Sequence, residues 1–366
     1  MKQTAVPVTG GELGPEPGGS RVDWDRRFLY ECLIRWGGGS VVPSTGMAGW
    51  HETAATATRG ASRLLSRAPA GRSSRLNRRL RDVAQVRRVR VPPGTQVLYG
   101  NITFPLSRPR LPVVWSTQGI LDDRPGMWFP RRSAETHRRF IDASALTQCW
   151  SNKGRAGLQE WLGEEHMAKV EVVPPLVYVD LPAPWSRTAG DITAVFVGAY
   201  GWLKNLPAAL EAMRHVDPGL ALEVITADPP PPDLPSNVHW LGPRPRPEVL
   251  ARLRSADVHL FPSSTESFGM AGIEAMAAGV AQIVHRGGVP AECAAGTALE
   301  VDGSDPEQVA AALIRLAGDD DLRSTLATRG HRRWVDHFSP EAVGPRLAEL
   351  IDRAADAGRS DGRRIP

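Results

Sequence analysis

The sequence predicts an α/β protein of two Rossmann-like domains facing a central cleft, and three observations predict it. Short apolar runs closed by glycine or proline recur through the C-terminal half and alternate with helix formers, as in a parallel sheet covered on both faces. Three of those runs pass through small-residue loops straight into helices, near Gly198, Pro262 and Gly287. At 366 residues the chain is long enough for two domains, each with its own core.

Taken in order, residues 1–20 carry proline, glycine and acids where a signal peptide has an apolar core, and read as a disordered tail. The first domain is expected over 21–185. Phe28–Arg35 is its expected opening strand, and Gly37, Gly38 and Gly39 follow as a flexible loop. Further strands are expected at Gln96–Tyr99, Pro112–Ser116 and Ala145–Ser151, then a helix at Lys153–Leu162 and a strand reaching Val172 and Val173.

The second domain is expected over 186–335. Asp191–Gly198 reads as a strand and Leu206–Arg214 as a helix, with Lys204 where that helix begins, a compact point charge able to neutralise a phosphate. Val224 and Ile225 lie in a strand, and Pro229–Pro232 form a stiff loop after it. Ala256–Pro262 is a short strand stopped by proline, followed by the turn residues Ser263, Ser264 and Thr265. Met270–Ala278 then form a helix, with Ser267 as expected N-cap and Gly279 as C-terminal stop. The free amides and the positive end of such a helix favour an anion, and Gly269 lets the backbone approach it. Glu266 stands before the helix and Glu274 inside it, so two carboxylates accept hydroxyl hydrogen bonds at two points of a long ligand carrying sugars on both sides of a diphosphate. A capped helix with two solvated glutamates fits the same residues. Val280–Val284 is the next strand, and His285–Glu292 make a glycine turn into another helix. In an open parallel sheet ligands bind at the carboxyl ends of the strands, where these three loops lie.

On these residues the chain resembles glycosyltransferase family 4, retaining enzymes of the GT-B architecture that use nucleotide-sugar donors. The likeness is strongest from about Asp191 to Phe338: the Pro-Ser-x-x-Glu-x-Phe-Gly run from Pro262 with its second glutamate, the glycine loop bearing Lys204, the Gly-Gly-x-Pro turn, and the strand and short helix of His239–Gly242 and Glu248–Ala256. The resemblance implies that Glu274 accepts from ribose hydroxyls and that Glu266 lies near hydroxyls of the donor sugar. It implies that the amides of Phe268, Gly269 and Met270, following Ser267, hold the diphosphate, that Lys204 stabilises the departing phosphate, and that Gly198 and Asn205 complete the phosphate loop. A glycine pair after the first strand, here matched to Gly38 and Gly39, would approach donor and acceptor. Residues 336–355 would be a terminal helix crossing back onto the first domain, leaving 356–366 as a frayed tail. Two positions depart from the pattern. Ala199 stands where the family has an arginine, so half of the cationic clamp is missing unless Arg286 or a first-domain residue supplies it. Gln118, after Thr117, stands where the family often presents a histidine, and an amide cannot act as a base. A front-face retaining reaction tolerates that loss, because the leaving phosphate oxygen takes the acceptor proton.

Composition narrows the function classes. A formal charge of +4, 42% hydrophobic and 23% charged residues are ordinary for a soluble globular chain. Cys32, Cys149 and Cys293 are scattered without a Cys-x-x-Cys pair, so neither zinc nor a disulfide framework is indicated, and a reducing cytoplasm fits. No run approaches the ~18 apolar residues of a membrane span. Asp122 and Asp123, and Asp319, Asp320 and Asp321, read as turn or helix-end acids, so no metal site and no cofactor beyond the donor substrate are expected. The arginine-rich stretch from Arg72 to Arg90 reads as a solvated basic face or as a contact with an anionic acceptor or membrane surface; nucleic acid is not expected, because no recognition motif accompanies the charge. The expected function is transfer of a hexose-type sugar from a UDP- or GDP-sugar to a hydroxyl acceptor, with a non-catalytic nucleotide-sugar-binding protein of the same fold as the alternative.

Overall fold

The computed structural model describes residues 3–7, 40–44, 95–100, 112–117, 132–175, 177, 179, 192–198, 201–266 and 268–360. The first lobe contains β1 (Gln3–Pro7), β2 (Ser40–Ser44), β3 (Thr95–Gly100), β4 (Val113–Thr117), α1 (Arg132–Ala143), β5 (Leu146–Cys149), α2 (Asn152–Leu162), a 3-10 turn over Glu164–Lys169 and β6 (Val170–Val172). The second contains β7 (Thr193–Val197), α3 (Leu206–Ala212), β8 (Ala221–Ile225), β9 (Val238–Trp240), α4 (Arg246–Ser255), β10 (Val258–Phe261), α5 (Met270–Ala278), β11 (Ala281–His285), α6 (Val289–Ala294), β12 (Leu299–Val301), α7 (Pro306–Gly318) and α8 (Asp320–His337). Last comes α9 (Pro340–Ser360).

Each lobe has a six-stranded sheet, ordered β2-β1-β3-β4-β5-β6 and β12-β11-β10-β7-β8-β9, and the strands of both pair in parallel. The second sheet shows why its strands read as unbroken apolar runs. Ala194 and Phe196 of β7 face one cluster with Leu222, Val224, Leu260 and Ile283, while Val195 and Val197 face another with Ile225, Leu253 and residues of α5. Both faces are covered, so neither parity of the strand can be polar. Full burial of a side chain such as Phe196 or Phe261 contributes about 1.5–3 kcal/mol.

The first lobe differs from its sequence reading at the chain start. Gln3–Pro7, expected to lie in a disordered tail, is a strand paired on one side with Ser40–Ser44 and on the other with β3. It takes the place expected for Phe28–Arg35, which lies outside the described residues. Pairing on both edges, rather than its own apolar content, accounts for this strand. Val97 of β3 and Val114 of β4 pack against Val343, Leu347, Leu350, Ile351 and Ala354, one stripe of α9, so the terminal helix covers the first sheet. Arg346 Nη2 donates to Val172 O at 2.7 Å, and Arg353 pairs with Glu171, fixing α9 at the sheet edge.

The two lobes touch through α2 and α6. Glu292 of α6 accepts from Asn152 N (2.7 Å), Asn152 Nδ2 (3.1 Å) and Lys153 N (2.9 Å), so a second-lobe carboxylate sits on the first turn of a first-lobe helix. Lys153 Nζ returns a hydrogen bond to Gly287 O.

Candidate functional site

In the second sheet the strand order reverses between β7 and β10, and ligands of open parallel sheets bind at such a switch point. The loops leaving these two strands carry Lys204 and Glu266, and the structure joins the two side chains in an ion pair. Glycine at 198 makes room for it, since a Cβ there would come 2.7 Å from Lys204 Cε. The ammonium lies 5.4 Å from the centroid of the Phe261 ring, a cation–π placement that holds it over the end of β10. Asn205 takes a left-handed conformation (φ 55°) at the N-cap of α3, and its Nδ2 donates to Pro262 O at 2.9 Å, tying the two loops together. On the other side of the turn, Gly201 N donates to Asp228 Oδ2 at 2.6 Å.

Helix α5 opens at this point. Its N-cap is Gly269, not Ser267 as expected, and Ser267 itself lies outside the described residues. Gly269 adopts φ 81°, and a Cβ would meet the Phe261 ring at 3.0 Å, so close approach and a left-handed turn decide this position rather than side-chain capping. The opening amides of a helix lack acceptors one turn back; in α5 Gly272 N already turns to Gly269 O at 2.9 Å, and the N-cap stands beside Glu266, whose Cγ would lie 3.9 Å from a Cβ at Gly269. Phe268 is buried, edge-on to Phe338 with centroids 5.9 Å apart.

Glu274 lies inside α5 and is only 3% exposed, and its Oε1 receives Arg246 Nε at 3.0 Å. Sequence reading missed Arg246, because a partner 28 positions away has no spacing signal. The available hint was Pro245-Arg246-Pro247, which places a cation at the start of a helix, where the dipole disfavours it. Beneath the site, His259 Nδ1 meets Gln282 Oε1 at 3.1 Å and Gln282 Nε2 donates to Gly272 O at 3.1 Å, linking β10, β11 and α5. Burial foremost, with the charge of Lys204 adding to it, lowers the His259 pKa to about 4, so the ring is neutral near neutral pH.

Other candidates stand apart. Arg286, a possible replacement for the missing arginine, directs Nη2 to Gln308 at 3.2 Å. Thr117 ends β4 and is buried, and its carbonyl accepts from Trp150 N at 3.1 Å. Gly38, Gly39, Gln118, Ala199, Asp122, Asp123 and the Arg72–Arg90 stretch lie outside the described residues. Asp319 caps α8 by accepting from Leu322 N at 2.8 Å, with Asp320 and Asp321 in its first turn. Burial pushes the Cys149 thiol up to about 11 and the Cys293 thiol to about 12, so neither presents a thiolate near neutral pH. Among the described residues no group of three or more His, Cys, Asp or Glu is arranged to hold a metal, and no helix is long and apolar enough to cross a membrane.

Two Rossmann-like lobes, a crossing terminal helix and a site at the second lobe's switch point define the GT-B fold. Residues 191–319 match the family model for glycosyl transferases group 1. The D-inositol 3-phosphate glycosyltransferase of Corynebacterium jeikeium is 37% identical over 131 residues, covering 35% of this chain and 31% of that relative. The enzyme of the same name from Salinispora arenicola is 33% identical over 229 residues, covering 52% of this chain and 50% of the relative. The chain thus matches half or less of the length of these relatives. A crystal structure of Anabaena Alr3699/HepE in complex with UDP and glucose superposes with a TM-score of 0.66 over 96% of this chain and 100% of that one, at 13% identity. Together these similarities support a GT-B glycosyltransferase.

Proposed function

We propose that the chain is a retaining glycosyltransferase that moves a hexose-type sugar from a nucleoside-diphosphate sugar to a hydroxyl acceptor. The observation that carries this reading is the Lys204–Glu266 pair, set across the sheet's switch point at the opening of α5. In this reading the diphosphate lies against the first-turn amides of α5 and takes Lys204 as counter-ion, Glu266 turns to hydroxyls of the donor sugar, and Glu274 accepts from the ribose. The bond from C1 to the phosphate oxygen breaks while a bond from C1 to the acceptor oxygen forms on the same face. The acceptor proton goes to the leaving phosphate oxygen, so no side-chain base is required and Gln118 is no obstacle. Electrostatic stabilisation of the leaving group by Lys204 and the amides is the main catalytic contribution. UDP is favoured as the carrier because HepE, of the same fold, was crystallised with UDP and glucose. With the diphosphate charge met by protein groups, transfer should proceed unchanged in the presence of a chelator.

The test is a panel of UDP-, GDP-, ADP- and TDP-sugars with candidate acceptors, read by nucleoside-diphosphate release and by the anomeric configuration of the product in NMR. Release that depends on acceptor, with retained configuration, supports the reading. Donor binding without turnover would favour a non-catalytic sugar-nucleotide-binding protein, the alternative suggested by Ala199 and Gln118. An inverted product, or a requirement for divalent metal, would overturn the mechanism.

A further inference from the structure

We infer that Trp150 is a positioning residue, registering the carboxyl edge of the first sheet against the helix that opens the candidate donor site; this rests on the glycosyltransferase reading above. Three observations lead there. Trp150 follows β5 directly and bonds twice to the end of the neighbouring β4, its N donating to Thr117 O at 3.1 Å and its Nε1 to Ser116 Oγ at 2.9 Å. Its half-buried indole packs against an apolar cluster of the second lobe that contains Phe261, Phe268, Ile273 and Met276, and among the described residues no other first-lobe hydrophobic residue packs there. The same cluster takes in Val177 and Val179 from the chain between β6 and β7, and Phe338 from the chain between α8 and α9, the two places where the backbone crosses between the lobes.

Packing alone does not require a tryptophan here. An apolar residue without a donor would fill the joint, whereas the indole brings an N–H that needs a partner, and the partner is on a strand end of the first lobe. Ser116 is buried, so the bond is kept from water and selects one orientation of the ring. β4 and β5 are parallel neighbours, with Ser116 opposite Gln148 and Thr117 opposite Cys149, and the Trp150 amide extends their ladder by one residue to the carboxyl edge of the sheet. Ligands of an open parallel sheet lie at that edge, and with the donor assigned to the second lobe it is the side left for the acceptor. Within the cluster, Phe268 immediately precedes Gly269, the N-cap of α5. Two residues beyond Trp150, the amides of Asn152 and Lys153 bond to Glu292 of α6, so residues 150–153 join the lobes by an apolar and a polar contact together. Displacing the indole therefore moves the end of β4 relative to the opening of α5, and a misplacement of about 1 Å between reacting groups costs about a hundredfold in rate.

The experiment compares three quantities in the full chain and in Trp150→Leu, Trp150→Phe and Ser116→Ala: UDP affinity by calorimetry, hydrolysis of UDP-glucose by water, and transfer from UDP-glucose to the acceptor that the panel above selects. GDP and GDP-glucose replace them if the panel selects guanine. Trp150→Leu should lower kcat for transfer by about tenfold to a hundredfold, while UDP affinity and hydrolysis stay within about twofold, because neither needs the first sheet in register. Phenylalanine keeps a ring in the joint but has no Nε1, so Trp150→Phe should lose only about twofold to tenfold, the equivalent of one neutral hydrogen bond. Ser116→Ala removes the other half of the same bond, and the double variant Trp150→Phe, Ser116→Ala should fall no further than Trp150→Phe alone. Should Trp150→Leu not fold, the Phe and Ala variants carry the comparison. The inference is overturned if transfer is unchanged in Trp150→Leu, if transfer, hydrolysis and UDP affinity fall together, which marks a purely structural tie, or if the losses of the two milder variants multiply. A wild-type chain that binds UDP but transfers to no acceptor sinks the glycosyltransferase reading, and this inference with it, before any variant is compared.

Discussion

The candidate site holds two glutamates, each paired with a cation, on different scaffolds. Lys204 and Glu266 come from loops after β7 and β10, and their side chains are 18% and 10% exposed. Arg246 opens α4 and Glu274 lies within α5, with the carboxylate more deeply enclosed. A pair carried on loops can exchange partners when a diphosphate arrives, since neither backbone segment is locked by a helix. A pair carried on two packed helices stays in place. Under the proposed donor reading both pairs meet the departing nucleotide, the loop pair at its diphosphate and the helix pair at its ribose.

The largest expected effect breaks the loop pair. Lys204→Ala should lower kcat by about 10²–10³, the range for removing one preorganised donor from a developing charge, with a smaller change in donor affinity. Steady-state transfer rates with the donor found by the panel check it. Unchanged rates would remove Lys204 from the chemistry and leave its contact with Glu266 a structural one. Gly198→Ala offers a milder version, because the added methyl displaces the lysine stem without removing its charge.

The helix pair should respond in stability. Arg246→Leu alone leaves Glu274 enclosed without this partner and should lower unfolding free energy by about 3 kcal/mol, whereas adding Glu274→Leu should recover most of that loss. Urea denaturation of the single and double variants measures it. The double variant should fold yet lose its preference for ribose, which separates stability from recognition. If the double variant is no more stable than the single one, the pair is bound into a wider network than the contact shown here.

Acidification should weaken the support under the loop pair. His259 stacks on Phe261 (centroids 5.3 Å apart), and Phe261 lies under Lys204. Its pKa is lowered from 6.5 to about 4, so the unfolded chain takes up the proton first as pH falls. The native state is therefore unpenalised above pH about 6.5, loses stability at about 1.4 kcal/mol per unit below it, and reaches a constant penalty under pH about 4. At pH 5 the loss from this group is about 2 kcal/mol. Urea midpoints at pH 7 and pH 5 should diverge less in His259→Gln than in wild type, and equal divergence would show that other groups govern acid sensitivity.

Legibility followed how far each signal reaches along the chain. Met270–Ala278 reads directly from sequence because helix formers, interrupted only by Gly272, run to Gly279, whose αL conformation ends the helix. The strands of the second sheet are equally plain, since both faces demand apolar residues. Gln3–Pro7 is not plain: Gln-Thr-Ala-Val-Pro has little apolar content and closes on proline, and only its neighbours on both sides make it a strand. At the opening of α5, serine's capping preference pointed to Ser267, but contact with Phe261 placed the cap at Gly269. The pairing of Arg246 with Glu274 depends on how α4 and α5 pack, which no periodicity encodes.

A third glutamate sharpens the contrast by joining the two lobes. Glu292 takes three hydrogen bonds at the start of α2, acting as the cap that a serine or aspartate supplies within a single helix, but reaching across from the other lobe. Ser151, the N-cap of α2 in sequence, already accepts from Gly154 N, so the helix keeps one cap when the carboxylate is lost. Glu292→Ala should therefore reduce stability by only about 1 kcal/mol, roughly 2–4 °C in Tm for a chain of this kind. Hydrogen exchange should quicken at Asn152 and Lys153, whose amides bond to the carboxylate, more than elsewhere in α2. If protection is lost along the whole of α2, the contact is holding the helix on the second lobe rather than closing its first turn, and the two lobes are more strongly coupled than a cap implies.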